Sequence, residues 1–98
     1  MRKVTREIVN AFMNDYDKAV SNSAVTTSDG ITKMFLFGNC IARKMQATGT
    51  IEVTLAGWNT NTTRERLNAI PNVSVTQRNF TPYLNGVEID SNEWYAVN

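Results

Sequence analysis

The stretch TIEVTLAGWNTNTTRERLNAI, residues 50–70, decides the fold, because a strand stops within it at a Gly-Trp pair and a short helix begins. Ile51, Val53 and Leu55 alternate with Thr50, Glu52 and Thr54, the period-two pattern of a strand with one buried and one wet face. Gly57 ends the alternation. Thr62 stands three residues before Glu65, the spacing of a capping box. In it the Thr62 hydroxyl accepts from the Glu65 amide and the Glu65 carboxylate reaches back to the Thr62 amide. Leu67 and Ile70 share a helical face, and Pro71, which lacks an amide hydrogen, limits the helix to about two turns. So short a helix is unstable alone. It is expected to dock Leu67 and Ile70 on a sheet, with Trp58 as the large apolar body that holds the junction.

Upstream, Val4, Ile8, Val9, Phe12, Tyr16, Ala19 and Val20 recur at the spacing of an amphipathic helix of about four turns, with Thr5 as its N-cap. Ser21, Asn22 and Ser23 are expected to end it. Ala24 to Thr27 reads as a short strand closed by the turn residues Ser28-Asp29-Gly30. In Ile31 to Phe37, Met34 and Leu36 point one way while Phe35 and Phe37 point the other, the pattern of a central strand covered on both faces. One of those faces is otherwise an interface. Gly38-Asn39 suits a type II′ hairpin turn leading to a return strand, Cys40 to Met45, with Ile41 toward the core and Arg43 snorkelling outward on the same side. With the Ile51 strand this makes a three-strand meander. Beyond the second helix, Val73 and Val75 mark another strand, Asn85-Gly86 a type I′ turn, Pro82 an edge or strand start, and Trp94 to Val97 a last edge strand or clamp. The fold class is α+β: residues 1–98 form one domain, an N-terminal helix on an antiparallel sheet of about five strands with a short second helix after the meander.

The segments LFGNCIARK, Leu36 to Lys44, and LAGWNTNTTRERLNAI, Leu55 to Ile70, resemble a group of small proteins encoded by bacteriophages. In these a Gly-Asn and Ile-Ala precede a Gly-Trp, a Thr-rich linker and an Arg-Leu-Asn helix. The matching residues are Gly38, Asn39, Ile41, Ala42, Gly57, Trp58, Thr62, Thr63, Arg66, Leu67 and Asn68, about a third of the chain. The resemblance implies a viral origin and carries no activity.

Net charge of +1 argues against a strongly basic nucleic-acid binder and against an acidic nucleic-acid mimic. With no histidine, Ser-His-Asp and Cys-His chemistry and every His-containing metal site are excluded. A lone cysteine, Cys40, fits a reducing cytoplasm, and no apolar run approaches the roughly 18 residues of a membrane span. A host-cell cytoplasmic protein without cofactor or metal is the expectation. Three groups of residues are candidates for chemistry. Arg43, Lys44, Arg64, Arg66 and Arg78, with the hydroxyls of Thr60 and Thr63, are candidate phosphate-binding residues around a helix N-terminus, or else a solvated face. Asp15, Asp17, Glu88, Asp90 and Glu93 read as solvated carboxylates rather than an acid-base pair. Cys40 reads as a small buried hydrophobe, since no base is available to activate it. No catalytic residue emerges. The sequence favours a small binding protein that modifies or inhibits a host process, a defence system among the options, by contacting a host protein. The alternatives are a nucleic-acid-binding module using Arg64 and Arg66, and a virion or assembly component, such as a homodimer pairing its strand edges.

Overall fold

The computed structural model describes residues 2–97. In chain order they form α1 Lys3–Met13, β1 Lys18–Val20, β2 Ser23–Ser28, β3 Ile31–Leu36, β4 Asn39–Met45, β5 Ile51–Val53, α2 Asn61–Asn68, β6 Val75–Arg78, β7 Thr81–Leu84, β8 Val87–Glu88 and β9 Tyr95–Ala96. The architecture is α+β, with the N-terminal helix, the meander and the second helix in the expected order. The main antiparallel sheet has six strands rather than five, in the order β1-β2-β3-β4-β5-β9, and β6-β7-β8 form a separate three-stranded sheet. α1 lies over β1–β3 and α2 against β4 and β6, and one core runs through helices and sheets alike.

The first helix is shorter than its apolar pattern predicts. Asp15 takes a left-handed φ of 58° just after the Asn14 C-cap, and the Tyr16 N–H turns back to the Ala11 carbonyl at 3.1 Å, the closing bond of a Schellman motif. Lys44 Nζ satisfies the Met13 carbonyl at 2.8 Å. Ile8, Ala11 and Phe12 are fully buried, whereas Tyr16 is exposed and Ala19 and Val20 pair as strand β1. Arg2, not Thr5, holds the N-cap position, and Thr5 lies buried inside the helix.

Strand β3 buries one face only. Thr32, Met34 and Leu36 are core, Lys33 is exposed, and Ile31 and Phe35 are half-buried, so the expected second buried face is absent. The hairpin turns at Phe37-Gly38 rather than Gly38-Asn39. Leu36 pairs with Asn39, and φ is 51° at Phe37 and 80° at Gly38, the double left-handed signature of type I′. The Asn85-Gly86 turn matches its expectation, with φ of 50° and 86°. In β4, Ile41 is an extra residue opposite the Met34–Phe35 step, a β-bulge. Ile41 and Ala42 are therefore both buried, and Arg43 falls on the face opposite the helices instead of beside Ile41.

Pro82 sits second in β7, the middle strand of the small sheet. Its carbonyl accepts from the Ile89 N–H at 3.1 Å, but it has no N–H to return, so β8 ends at Glu88. Trp94 to Val97 contains the edge strand β9, paired to β5.

Candidate functional site

Of the five turns among the described residues that place two consecutive residues in the left-handed region, three contain or adjoin an aromatic residue: Phe37-Gly38, Ala56-Gly57 with φ of 53° and 81° just before Trp58, and Asn79-Phe80 with 53° and 66°. Each of these three leaves an aromatic ring in water. Phe37 is 70% exposed, Trp58 58% and Phe80 88%. Left-handed backbone costs an ordinary L-residue about 1 kcal/mol, and bulky side chains are unusual in it, so Phe37 and Phe80 combine strained backbone with exposed apolar area. Gly57 is favoured by its φ of 81°, and a Cβ there would lie 3.0 Å from Oδ1 at the end of the exposed Asn92 side chain.

Trp58 is thus not the buried clamp expected from sequence. Its N–H closes the Leu55–Trp58 turn on the Leu55 carbonyl at 2.8 Å, and Leu55, 0% exposed, takes the core position instead. Between the Phe37 turn and the start of α2 opens a cleft of about 400 Å³. Leu36, Ile41 and Leu55 form its floor and Phe37 and Trp58 line its mouth, while Asn39, Thr60, Thr62 and Thr63 supply the polar edge. No charged side chain lines it.

The cap of α2 lies two residues earlier than the capping-box reading. Thr60, in extended backbone, accepts from the Thr63 N–H at 3.2 Å, and its hydroxyl lies 3.0 Å from that of Thr63. Thr62 is left half-buried at the cleft. Glu65 does not return to Thr62 but faces α1. It accepts from Arg2 Nη2 at 2.6 Å, from the Thr5 hydroxyl at 2.8 Å and from Arg66 Nη1 at 2.6 Å. The Arg2 guanidinium, aided by Thr5 and Arg66 and opposed by partial burial, holds the Glu65 carboxyl down to about 2.

The expected basic corner is not formed. Arg66 is 1% exposed, its Nε donating to Ser23 Oγ and its Nη2 to Asn22 Oδ1, both at 3.2 Å, and its Nη1 to Thr5. Burial pulls this guanidinium below its ordinary value, and neighbouring Glu65 works the other way. Arg64 is buried too, held by Asn59 and Asn61. Arg43 pairs with Glu52 at 2.7 Å and stacks over Trp94, Lys44 pairs with Asp15 at 3.3 Å, and exposed Arg78 lies over Tyr83. Each of these cations has its own partner, and the Thr60 hydroxyl is engaged by the Thr63 N–H and hydroxyl at the helix start.

The carboxylates divide. Asp15 accepts from the Thr32 hydroxyl at 2.7 Å and Asp17 from the Thr27 N–H and hydroxyl, both at 2.8 Å, so these two serve the fold. Glu88, Asp90 and Glu93 are exposed, and among the described residues no cation pairs with them. Cys40 is half-buried, and that burial pushes its thiol up, away from reactivity. Among the described residues no group of three or more His, Cys, Asp or Glu is arranged to hold a metal ion, and no helix is long and apolar enough to cross a membrane.

Phe37 and Phe80 were not singled out as surface residues from sequence. The signal for Phe80 is its place in Asn79-Phe80, where an Asn-Gly pair like that at Asn85-Gly86 would suit the turn. For Phe37 the sequence carries no such signal, since Gly38 serves a turn at Phe37-Gly38 as well as one at Gly38-Asn39.

Fold and site together define a small α+β domain with an uncharged apolar cleft at one corner. The chain belongs to the Kyanoviridae Gp96 protein family, whose model matches residues 1–98, and it is a phage protein. Comparison with curated proteins gave no match, and comparison with solved structures gave none either.

Proposed function

We propose that this phage protein is a binding protein that modifies a host process, acting by protein–protein contact through the cleft between Phe37 and Trp58. The observation that carries the reading is a cleft of about 400 Å³ with an apolar floor and two exposed aromatic rings at its mouth. Protein contact sites concentrate their energy in aromatic anchors around desolvated pockets, and here the anchors and the pocket coincide. Strain held in a turn that exposes a phenylalanine is an expense that folding alone does not require. Phosphate recognition draws little support, because Arg64 and Arg66 are buried and engaged inside the protein.

The test is affinity capture from host lysate, with and without nuclease, using the parent, Trp58→Ala and Phe37→Asn. A specific protein retained by the parent after nuclease treatment and lost from both folded variants is expected. Retention that disappears with nuclease, or that both variants keep, would overturn the reading.

A further inference from the structure

The cleft is uncharged, but its surroundings are not. The Gly57 N–H donates to the Ser91 carbonyl at 2.8 Å, which fastens the segment 90–93 against the backbone immediately before Trp58. Gly57 also packs against the Asn92 side chain. Asp90 and Glu93 flank Ser91 and Asn92, and both are exposed. Asp90 is fixed in place: its N–H donates to Tyr95 Oη at 2.7 Å and its Oδ1 accepts from the Asn92 N–H at 2.8 Å. Two exposed residues whose carboxylates have no cationic partner among the described residues therefore flank the point where this segment meets Gly57, the residue before Trp58. The cations nearby are engaged elsewhere, Arg64 with Asn59 and Asn61, and Arg43, stacked over Trp94 next to Glu93, with Glu52.

We infer that the cleft docks a basic protein segment, one that inserts an aromatic or aliphatic side chain between Phe37 and Trp58 and carries Lys or Arg beside it to meet Asp90 and Glu93. This deepens the proposed function and rests on it. The apolar anchor supplies the affinity by desolvating ring and floor. The flanking cations supply the choice of partner and speed its arrival, because exposed carboxylates attract a basic segment and repel an acidic one or a phosphate backbone. The exposed face of Trp58 is itself a favourable platform for a neighbouring Lys or Arg. Phe80 extends the surface, since Asn59, the residue after Trp58, donates to the Phe80 carbonyl at 3.4 Å and to Gln77 Oε1 at 3.2 Å.

The experiment is selection of a random dodecapeptide display library on the immobilised chain, followed by affinity measurements with the recovered peptides. Four proteins are compared: the parent, Trp58→Ala, Phe37→Asn and the double variant Asp90→Asn/Glu93→Gln, each checked for folding by circular dichroism. Enriched peptides should carry one large apolar residue beside Lys or Arg. They should lose binding to Trp58→Ala and Phe37→Asn. They should bind the double variant about fivefold more weakly at low salt, the scale of two exposed ion pairs, with the gap closing as salt rises. Peptides that need Trp58 but are neutral or acidic, or that bind the double variant as tightly as the parent, would overturn the basic partner and leave the protein-contact reading standing. Enrichment that ignores Trp58, or none at all, would overturn both. A parent that is dimeric in solution and becomes monomeric in Trp58→Ala would show a second copy in the cleft and overturn the inference as well.

Discussion

Phe37 and Phe80 occupy backbone that asparagine or glycine would hold at lower cost, and their rings return little by way of burial. Phe37→Asn, which creates an Asn-Gly turn, and Phe80→Gly, which creates another, should each raise stability by about 0.5–1 kcal/mol, read as a higher urea midpoint at unchanged slope. A fall in midpoint would mean that the rings pack against the body of the protein. The cap of α2 gives a second comparison. Thr60→Ala should cost about 1 kcal/mol and Thr62→Ala much less, because only the Thr60 oxygen accepts an amide at the helix start. The opposite ranking in thermal unfolding would restore the cap to Thr62. Sequence could not separate the two, since each threonine stands at a cap-like distance from the Leu67/Ile70 face; what decides is that Glu65 has stronger partners in Arg2 and Arg66 than the Thr62 amide.

At the level of elements, the buried Arg66 guanidinium is the tie between α1, α2 and the β1–β2 turn, reaching Thr5, Glu65, Asn22 and Ser23. Arg66→Met should therefore cost on the order of 3 kcal/mol, because it removes the common partner of buried polar groups. Arg43→Met, with a half-exposed pair on the outer sheet face, should cost less than about 1 kcal/mol. Similar losses in chemical denaturation would show that Arg66 is no better placed than a surface residue. Elements whose limits depend on local pattern were legible in the sequence: the Ile51 strand, the α2 face of Leu67 and Ile70, and the Asn85-Gly86 hairpin. Elements whose limits depend on distant partners were not. α1 stops where Lys44, from β4, takes the Met13 carbonyl and Tyr16 turns back to Ala11, and the apolar spacing of Tyr16, Ala19 and Val20 fits a helix as well as it fits a turn and a strand. The sheet reaches six strands because Lys18–Val20, written into that helix, pairs instead with β2. The candidate cleft was half legible: Gly57, Trp58 and the threonines were marked, but Trp58 was placed inside, since a Gly-Trp junction does not reveal that Leu55 already fills the core.

For the whole molecule, the Glu65 carboxyl links stability to pH. Its folded value of about 2 lies below its ordinary 4.5, so the unfolded chain takes up the proton first as acid is added. The stability it contributes is complete above about pH 4.5 and is lost as pH falls through about 2. The difference in unfolding free energy between parent and Glu65→Gln should accordingly be flat at neutral pH, shrink below about 4.5 and be nearly gone near pH 2. A difference independent of pH over that range would remove the Arg2–Glu65 pairing as its source. The bulge at Ile41 has a consequence of another kind. Every pairing on either side of it, Phe35 with Cys40 and Met34 with Ala42, is the pairing a regular hairpin would have if Ile41 were deleted. Excising that one residue would keep Arg43 and Lys44 in phase on their present faces, but it would remove a fully buried core side chain, one of the three that floor the cleft, and the carbonyl that accepts from the Thr54 N–H at 2.9 Å; folding and recognition here share a letter of the same strand.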